Sequence, residues 1–304
     1  MRRALLLVMA AGCRQLFGLD PPIARGDADV DVNIPDGPRD AQGGSCIERW
    51  IMGPQLAAPI SMSLNSATQD RLPFVTADGM QLYYVHDNDI YRSSAFGGVF
   101  PMGTREDQLS SGNGEGRVTV AANGTRAFFS SNRAGGTGGG ADLWRASRAD
   151  VVSPWALDQL YLDNLNKPGD QSNPYLTDDL LHIYYAQKGV GIMYAQRAAA
   201  VDLFGTPTLL AGVNGLLGED DMPTLTADER VIVFASTRTG NSELWYATRD
   251  VGAPGFTAPK LVPGVNNPNR DDEGPYLTPD GCTLYFGSDR NGGQLDIYVA
   301  TLLD

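Results

Sequence analysis

This sequence predicts an all-β fold, a five-bladed β-propeller of four-stranded antiparallel blades, on three observations. One stretch recurs five times: LPFVTADGMQLYYV (Leu72 to Val85), RVTVAANGTRAFFS (Arg117 to Ser130), NPYLTDDLLHIYYA (Asn173 to Ala186), MPTLTADERVIVFA (Met222 to Ala235) and GPYLTPDGCTLYFG (Gly274 to Gly287). The turn anchors Asp78, Asn123, Asp179, Asp228 and Asp280 stand 45, 56, 49 and 52 residues apart, a period of roughly 50 residues that marks repeated β-blades. Finally, the strands read as short apolar runs such as LYF and IYV, the pattern of sheets covered on both faces.

The last copy shows the unit in full. FTAPKLV is extended, PGVNNPNRDDE is a loop, and GPYLT, CTLYFGS and LDIYVATL follow, split by the turn PDG and the loop DRNGGQ. Asp78-Gly79, Asn123-Gly124 and Asp280-Gly281 supply the positive φ of tight hairpins. A sheet with two apolar faces is stable only when stacked on similar neighbours, which accounts for a ring of copies. The paired aromatics Tyr83-Tyr84, Phe128-Phe129 and Tyr184-Tyr185 share one repeat position and are expected in the core between blades.

The pattern P-x-L-T-x-D-G-x-x-L-Y-F-x-S-x-R…D-I-Y resembles the WD40-like repeat of TolB-type β-propellers of the bacterial envelope, from about Gln55 to the C-terminus. The resemblance implies that each copy supplies strands A, B and C, and that the segment before it is outer strand D of the previous blade. Those segments are QLAAPISM, GGVFPMG, LDQLYL, FGTPTLL and FTAPKLV. Gln55 to Met62 is therefore expected to dock beside Asp296 to Leu302 and close the ring. A six-bladed ring is the alternative, and no sixth copy is present.

The chain start has a different character. Arg2 and Arg3, an apolar run from Ala4 to Ala11, then Gly12-Cys13 have the layout of a secretory signal, too short to span a bilayer. Ala11-Gly12-Cys13 resembles a bacterial lipobox, which implies a signal peptide over 1–12 and acylation of Cys13. Arg14 after the cysteine then implies the outer membrane. Residues 13–45 are rich in Asp, Pro and Gly and read as an acidic disordered tether, leaving 46–304 for the propeller.

A net charge of −13 argues against nucleic acid, whose binders concentrate Lys and Arg. It leaves membrane contact to the anchor alone. Cys46 and Cys282 are an even pair in an exported chain, and ring closure brings both to one blade, so a disulfide is expected. Two free thiols are the alternative. No Cys/His spacing suits zinc.

Arg133, Arg238 and Arg290 end the second strand of blades 2, 4 and 5, where the third strand opens with Asp142, Glu243 and Asp296. Blade 3 lacks both, with Gly191 at the acidic position, while blade 1 keeps Asp89 without an arginine. Arg–carboxylate pairs tying down the B–C loops are expected.

Asp70, Glu115, Asp170, Asp220, Asp221, Asp271, Asp272 and Glu273 gather immediately before strand A, which lines a propeller's channel. They are expected at one mouth, where they suit Ca²⁺, the carboxylate pair of a glycosidase, or turn capping. Apart from that possible Ca²⁺, no cofactor is implied. His86 and His182 have no partner completing a triad, no G-x-S-x-G elbow is present, and the glycine-rich stretch from Ala134 to Asp142 lacks a following Lys and helix. The expected function is a lipid-anchored envelope module that binds an envelope protein or small ligand at the acidic mouth. A glycoside-active enzyme and a structural Ca²⁺ propeller stay open.

Overall fold

The computed structural model describes residues 44–137, 140–158, 162 and 164–303. The signal peptide, Cys13 and the tether up to residue 43 lie outside them.

A short helix, α1 (Cys46–Met52), comes first. It starts where Ser45 accepts a hydrogen bond from the Glu48 N–H, and ends where Gly53 adopts φ 128°. Then β1 (Ile60–Ser61) leads into blade 1, formed by β2 (Asp70–Val75), β3 (Gln81–His86), β4 (Asp89–Ser94) and β5 (Thr104–Arg105). Blade 2 holds β6 (Glu115–Val120), β7 (Arg126–Ser131), β8 (Asp142–Ser147) and β9 (Ala156–Asp158). Blade 3 holds β10 (Gln171–Leu176), β11 (His182–Gln187), β12 (Gly191–Gln196) and β13 (Thr208–Leu209). Blade 4 is β14 (Asp220–Leu225), β15 (Val231–Ser236), β16 (Glu243–Thr248) and β17 (Lys260–Leu261). Blade 5 is β18 (Asp272–Leu277), β19 (Thr283–Ser288) and β20 (Asp296–Thr301), completed by β1.

The chain is a five-bladed propeller of antiparallel four-stranded sheets. Ring closure occurs as the sequence predicts: Ile60 pairs with Val299, Ser61 with Tyr298, and Leu56 bridges to Leu302. One expected outer strand is displaced, since blade 1 uses Thr104–Arg105 and not the preceding GGVFPMG. The seam is reinforced by a Cys46–Cys282 disulfide (Cα–Cα 5.1 Å) and by Trp50 Nε1 donating to the Gly281 carbonyl at 2.8 Å.

The core lies between blades. Tyr83, Tyr84, Phe128, Phe129, Tyr184, Tyr185, Phe234 and Phe286 are fully buried there. In the A–B hairpins Gly79, Gly124 and Gly281 take φ near 70°, while blades 3 and 4 force Leu180 and Glu229 into the same region. On this face the chain carries a clamp that the repeat pattern did not reveal. Arg148, Arg197 and Arg249 donate through Nε to the carbonyls of Gly124, Leu180 and Glu229, each at 2.7 Å. Each guanidinium also lies over Trp155, Phe204 or Phe256, 4.0–4.6 Å from the ring centroid, a cation–π geometry. The clamp ties each C–D loop to its own A–B hairpin.

Candidate functional site

The opposite face, built from the B–C and D–A loops, carries the acidic residues. In every blade the first residue of strand A faces the last residue of strand B: Glu115 opposes Ser131, Asp220 opposes Ser236, and Asp272 opposes Ser288. Two residues beyond each serine stands an arginine. Arg133, Arg238 and Arg290 donate through Nε to that serine's Oγ at 2.9 Å. Through Nη2 they reach Glu115 (3.2 Å), Asp220 and Asp272 (2.6 Å), and the carbonyls of Leu109, Val213 and Val265. Each guanidinium also lies 4.7–5.5 Å from two ring centroids, one on strand B and one on strand C.

This corrects the expected pairing with Asp142, Glu243 and Asp296. Both neighbouring strands place an acid beside the serine, but the arginine reaches the buried strand A acid, next to the D–A loop whose carbonyl it also needs. Desolvation there makes the ion pair and its hydrogen bonds necessary. The strand C acids serve their own loops instead. Asp142 accepts from the Thr137 N–H (2.9 Å) and hydroxyl (2.7 Å), and Glu243 from the Thr239 hydroxyl.

The same register explains the exceptions. Blade 3 has Gln171 at the acid's position and Gly189 at the arginine's, so charge and countercharge are lost together. In blade 1 buried Asp70 accepts from Ser66 N–H (2.7 Å) and Oγ (2.8 Å) and meets His86 Nδ1 at 2.9 Å. Asp70, Glu115, Asp220 and Asp272 are thus buried hydrogen-bond hubs beneath the loops.

One residue further along strand A the side chains turn to the axis. Asp221 accepts from Asn173 Nδ2 (3.0 Å), and Glu273 stands 4.0 Å from Arg71. Below them Arg117, fully buried, crosses from blade 2 to donate to the carbonyls of Pro223 (2.8 Å) and Pro275 (2.5 Å) in blades 4 and 5. Burial pulls its pKa down to about 10 against the opposing effect of Asp221 and other anionic neighbours, and burial raises both Asp221 and Glu273. Arg117 closes the axis. Among the described residues no three or more His, Cys, Asp or Glu side chains converge as a metal site.

Open space lies off the axis, where B–C turns are short. Blade 1 turns from His86 to Asp89 and blade 3 from Gln187 to Gly191. A cleft of about 790 Å³ opens over blades 2–4, lined among others by Gly140, Asp170, Val190, Leu216, Glu219 and Asp221. A second, of about 570 Å³, lies between blades 5 and 1 and includes Asp271 and Asn88. Asp170 accepts from the Ala141 N–H (2.9 Å) and sits 3.5 Å from Lys188. Asp271 accepts from the Ser242 N–H at 2.9 Å. A Cβ at position 140 would fall 1.6 Å from Asp170 Oδ1, so a side chain there would displace that carboxylate.

The two histidines lie on opposite faces. His182, at the start of its strand B, meets Glu229 Oε1 at 2.5 Å, and Tyr184 and Arg249 complete that cluster. Sequence reasoning missed Arg117, Arg71 and Asn173. Their signal was positional: Arg117 is the only charged residue at the third place of strand A.

No family model and no curated protein matches this sequence. Solved structures do. A thermostable family-43 glycoside hydrolase is similar at 10% identity and a TM-score of 0.57, over 80% of this chain and 91% of that one. An endo-arabinase from Bacteroides thetaiotaomicron is similar at 14% identity and 0.56, over 80% and 97%. A putative TolB from Agrobacterium tumefaciens is similar at 17% identity and 0.46, over 73% and 71%. The two hydrolases have the same fold as this chain.

Proposed function

We propose that this chain is a lipid-anchored envelope propeller that binds a polar ligand or partner segment in the cleft over blades 2–4. The cleft carries the reading. Where its neighbours carry a docked arginine, blade 3 has a short glycine turn, and this opens a space of about 790 Å³ on a face whose axis is closed by Arg117. The walls offer the carboxylates of Asp170, Glu219 and Asp221 beside Lys188, with Val190 and Leu216 exposed at the rim. Such a mix suits a hydrogen-bonding, partly cationic partner. The export signal and the Cys46–Cys282 disulfide support an oxidising compartment. Among the described residues, no helix is long and apolar enough to cross a membrane.

Photo-crosslinking residues at Val190 and Leu216, with Lys260 on the outer rim as control, test this in intact cells. Discrete adducts from the two cleft positions and none from the rim are expected. Equal yields from all three would refute the site.

A glycoside-active reading draws on Asp221 and Glu273, whose carboxyls burial raises, as a general acid requires. Both are engaged by Asn173 and Arg71, which favours the binding reading. Turnover of aryl glycosides that is lost in Asp221→Asn and Glu273→Gln would reverse that preference.

A further inference from the structure

The face opposite the clefts has its own character. On it the loops that follow the third strand of blades 1 to 4 each hold an apolar side chain out to solvent: Phe96 is 82% exposed, Val152 89%, Val201 72% and Val251 84%. These loops are not loose. In blades 2 to 4 the arginine clamps hold Trp155, Phe204 and Phe256 inward. The Asp150 carboxylate caps the N–H groups of Val152 (3.0 Å) and Ser153 (2.8 Å). In blade 1 Phe96 and Val99 exchange backbone bonds around Gly97-Gly98. In blades 2 to 4 each loop therefore tucks an aromatic residue under itself and presents an aliphatic side chain outward, while in blade 1 the tip is Phe96 itself. Little chain entropy remains to be lost on docking.

The described chain also enters on this face. Cys46 is bonded to Cys282 at the A–B hairpin of blade 5, Glu48 pairs with Arg230 at that of blade 4, and Arg49 donates to the Leu303 carbonyl. From Cys13 to Gly44 the sequence runs 31 residues. An anchor at Cys13 would attach to the folded chain on the side of this face.

We infer that the propeller lies with this face against the bilayer, the four apolar tips resting in the headgroup layer and the clefts pointing away. The inference rests on the lipid-anchor reading. Tethering raises the local membrane concentration to the millimolar range, so a few aliphatic tips suffice where they could not recruit a free protein. The lipid should be zwitterionic, because Asp150, Asp202 and Asp250 adjoin three of the tips.

Hydrogen exchange on the full chain tests this. The chain is coupled through the Cys13 thiol to maleimide-phospholipid in phosphatidylcholine vesicles, which fixes the anchor whether or not cells acylate it. Acylation itself is checked separately, by mass spectrometry of the protein from membranes, so the two ideas fail independently. Amides at 149–153, 199–203 and 250–253 are expected to exchange about tenfold more slowly on vesicles than in solution, with 215–219 unchanged. Val152→Ser, Val201→Ser and Val251→Ser together should remove that protection while leaving the melting temperature as it was, and phosphatidylglycerol should weaken it. Equal exchange on and off vesicles overturns the inference. So does protection that grows with protein concentration in the absence of lipid, which would make the face a contact between copies.

Discussion

Replacing Arg117 with methionine tests the axial lock. The side chain is fully buried and donates to two carbonyls on other blades, at 2.8 and 2.5 Å. Methionine keeps much of the volume but removes both bonds and the positive charge that offsets Asp221 and Glu273. Breaking a buried, hydrogen-bonded charge cluster by deleting one partner costs about 3–5 kcal/mol. For a domain of this size a loss of that order lowers the melting temperature by about 6–12 °C. Lysine should not restore it, since one ammonium lacks the planar fork that reaches two carbonyls. Adding Asp221→Asn to Arg117→Met should recover about 1–2 kcal/mol, because the carboxylate left without its cation is gone. Scanning calorimetry on the three variants gives the answer. A shift under about 2 °C for Arg117→Met, or strict additivity in the double variant, would mean that the axis is not held this way.

The remaining expectations concern the seam, the sockets and pH. Cys282→Ala opens a loop spanning 236 residues and should cost about 5 kcal/mol at most on the chain-entropy account; a reduced parent protein that melts like the oxidised one would contradict this. Arg238→Met strands buried Asp220 and should cost about 3–5 kcal/mol, whereas Arg238→Gly with Asp220→Gln copies blade 3 and should recover part of the loss in urea titrations. Burial raises the folded-state pKa of Asp221 and Glu273 above their ordinary values. Their contribution is therefore full below about pH 4 and is lost as pH rises through the folded values. Asp221→Asn with Glu273→Gln should flatten the decline in urea midpoint as pH rises above about 4 relative to the parent, and an unchanged slope would refute the assignment.

Blade number and ring closure were legible because each blade repeats its own hairpin chemistry. Thr76, Thr177, Thr226 and Thr278 each donate to the turn aspartate two residues on, so the turn is written in residues that do little else. The arginine sockets were half legible. The arginines stood out, but the partner was sought along the chain, five to nine residues away, and it lies across a hairpin 18 residues back. Gln171 was the available clue, the neutral residue in the one blade with Gly189. Helix α1 escaped because seven residues show no period, although Ser45 and Glu48 have the capping-box spacing. The clefts could not be read from any motif. They arise from what two blades lack, and missing loop length shows only when its neighbours are in place.

The position of the disulfide bears on how the molecule carries load. Tension arriving from the N-terminal side meets Cys46 before it reaches Ile60, and passes through sulfur into the neighbourhood of β19. The two-residue strand that shuts the ring is thereby shielded from being peeled away. Under an oxidising exterior such a domain resists extraction as a unit, and reduction would expose its two-residue closing ladder to that load.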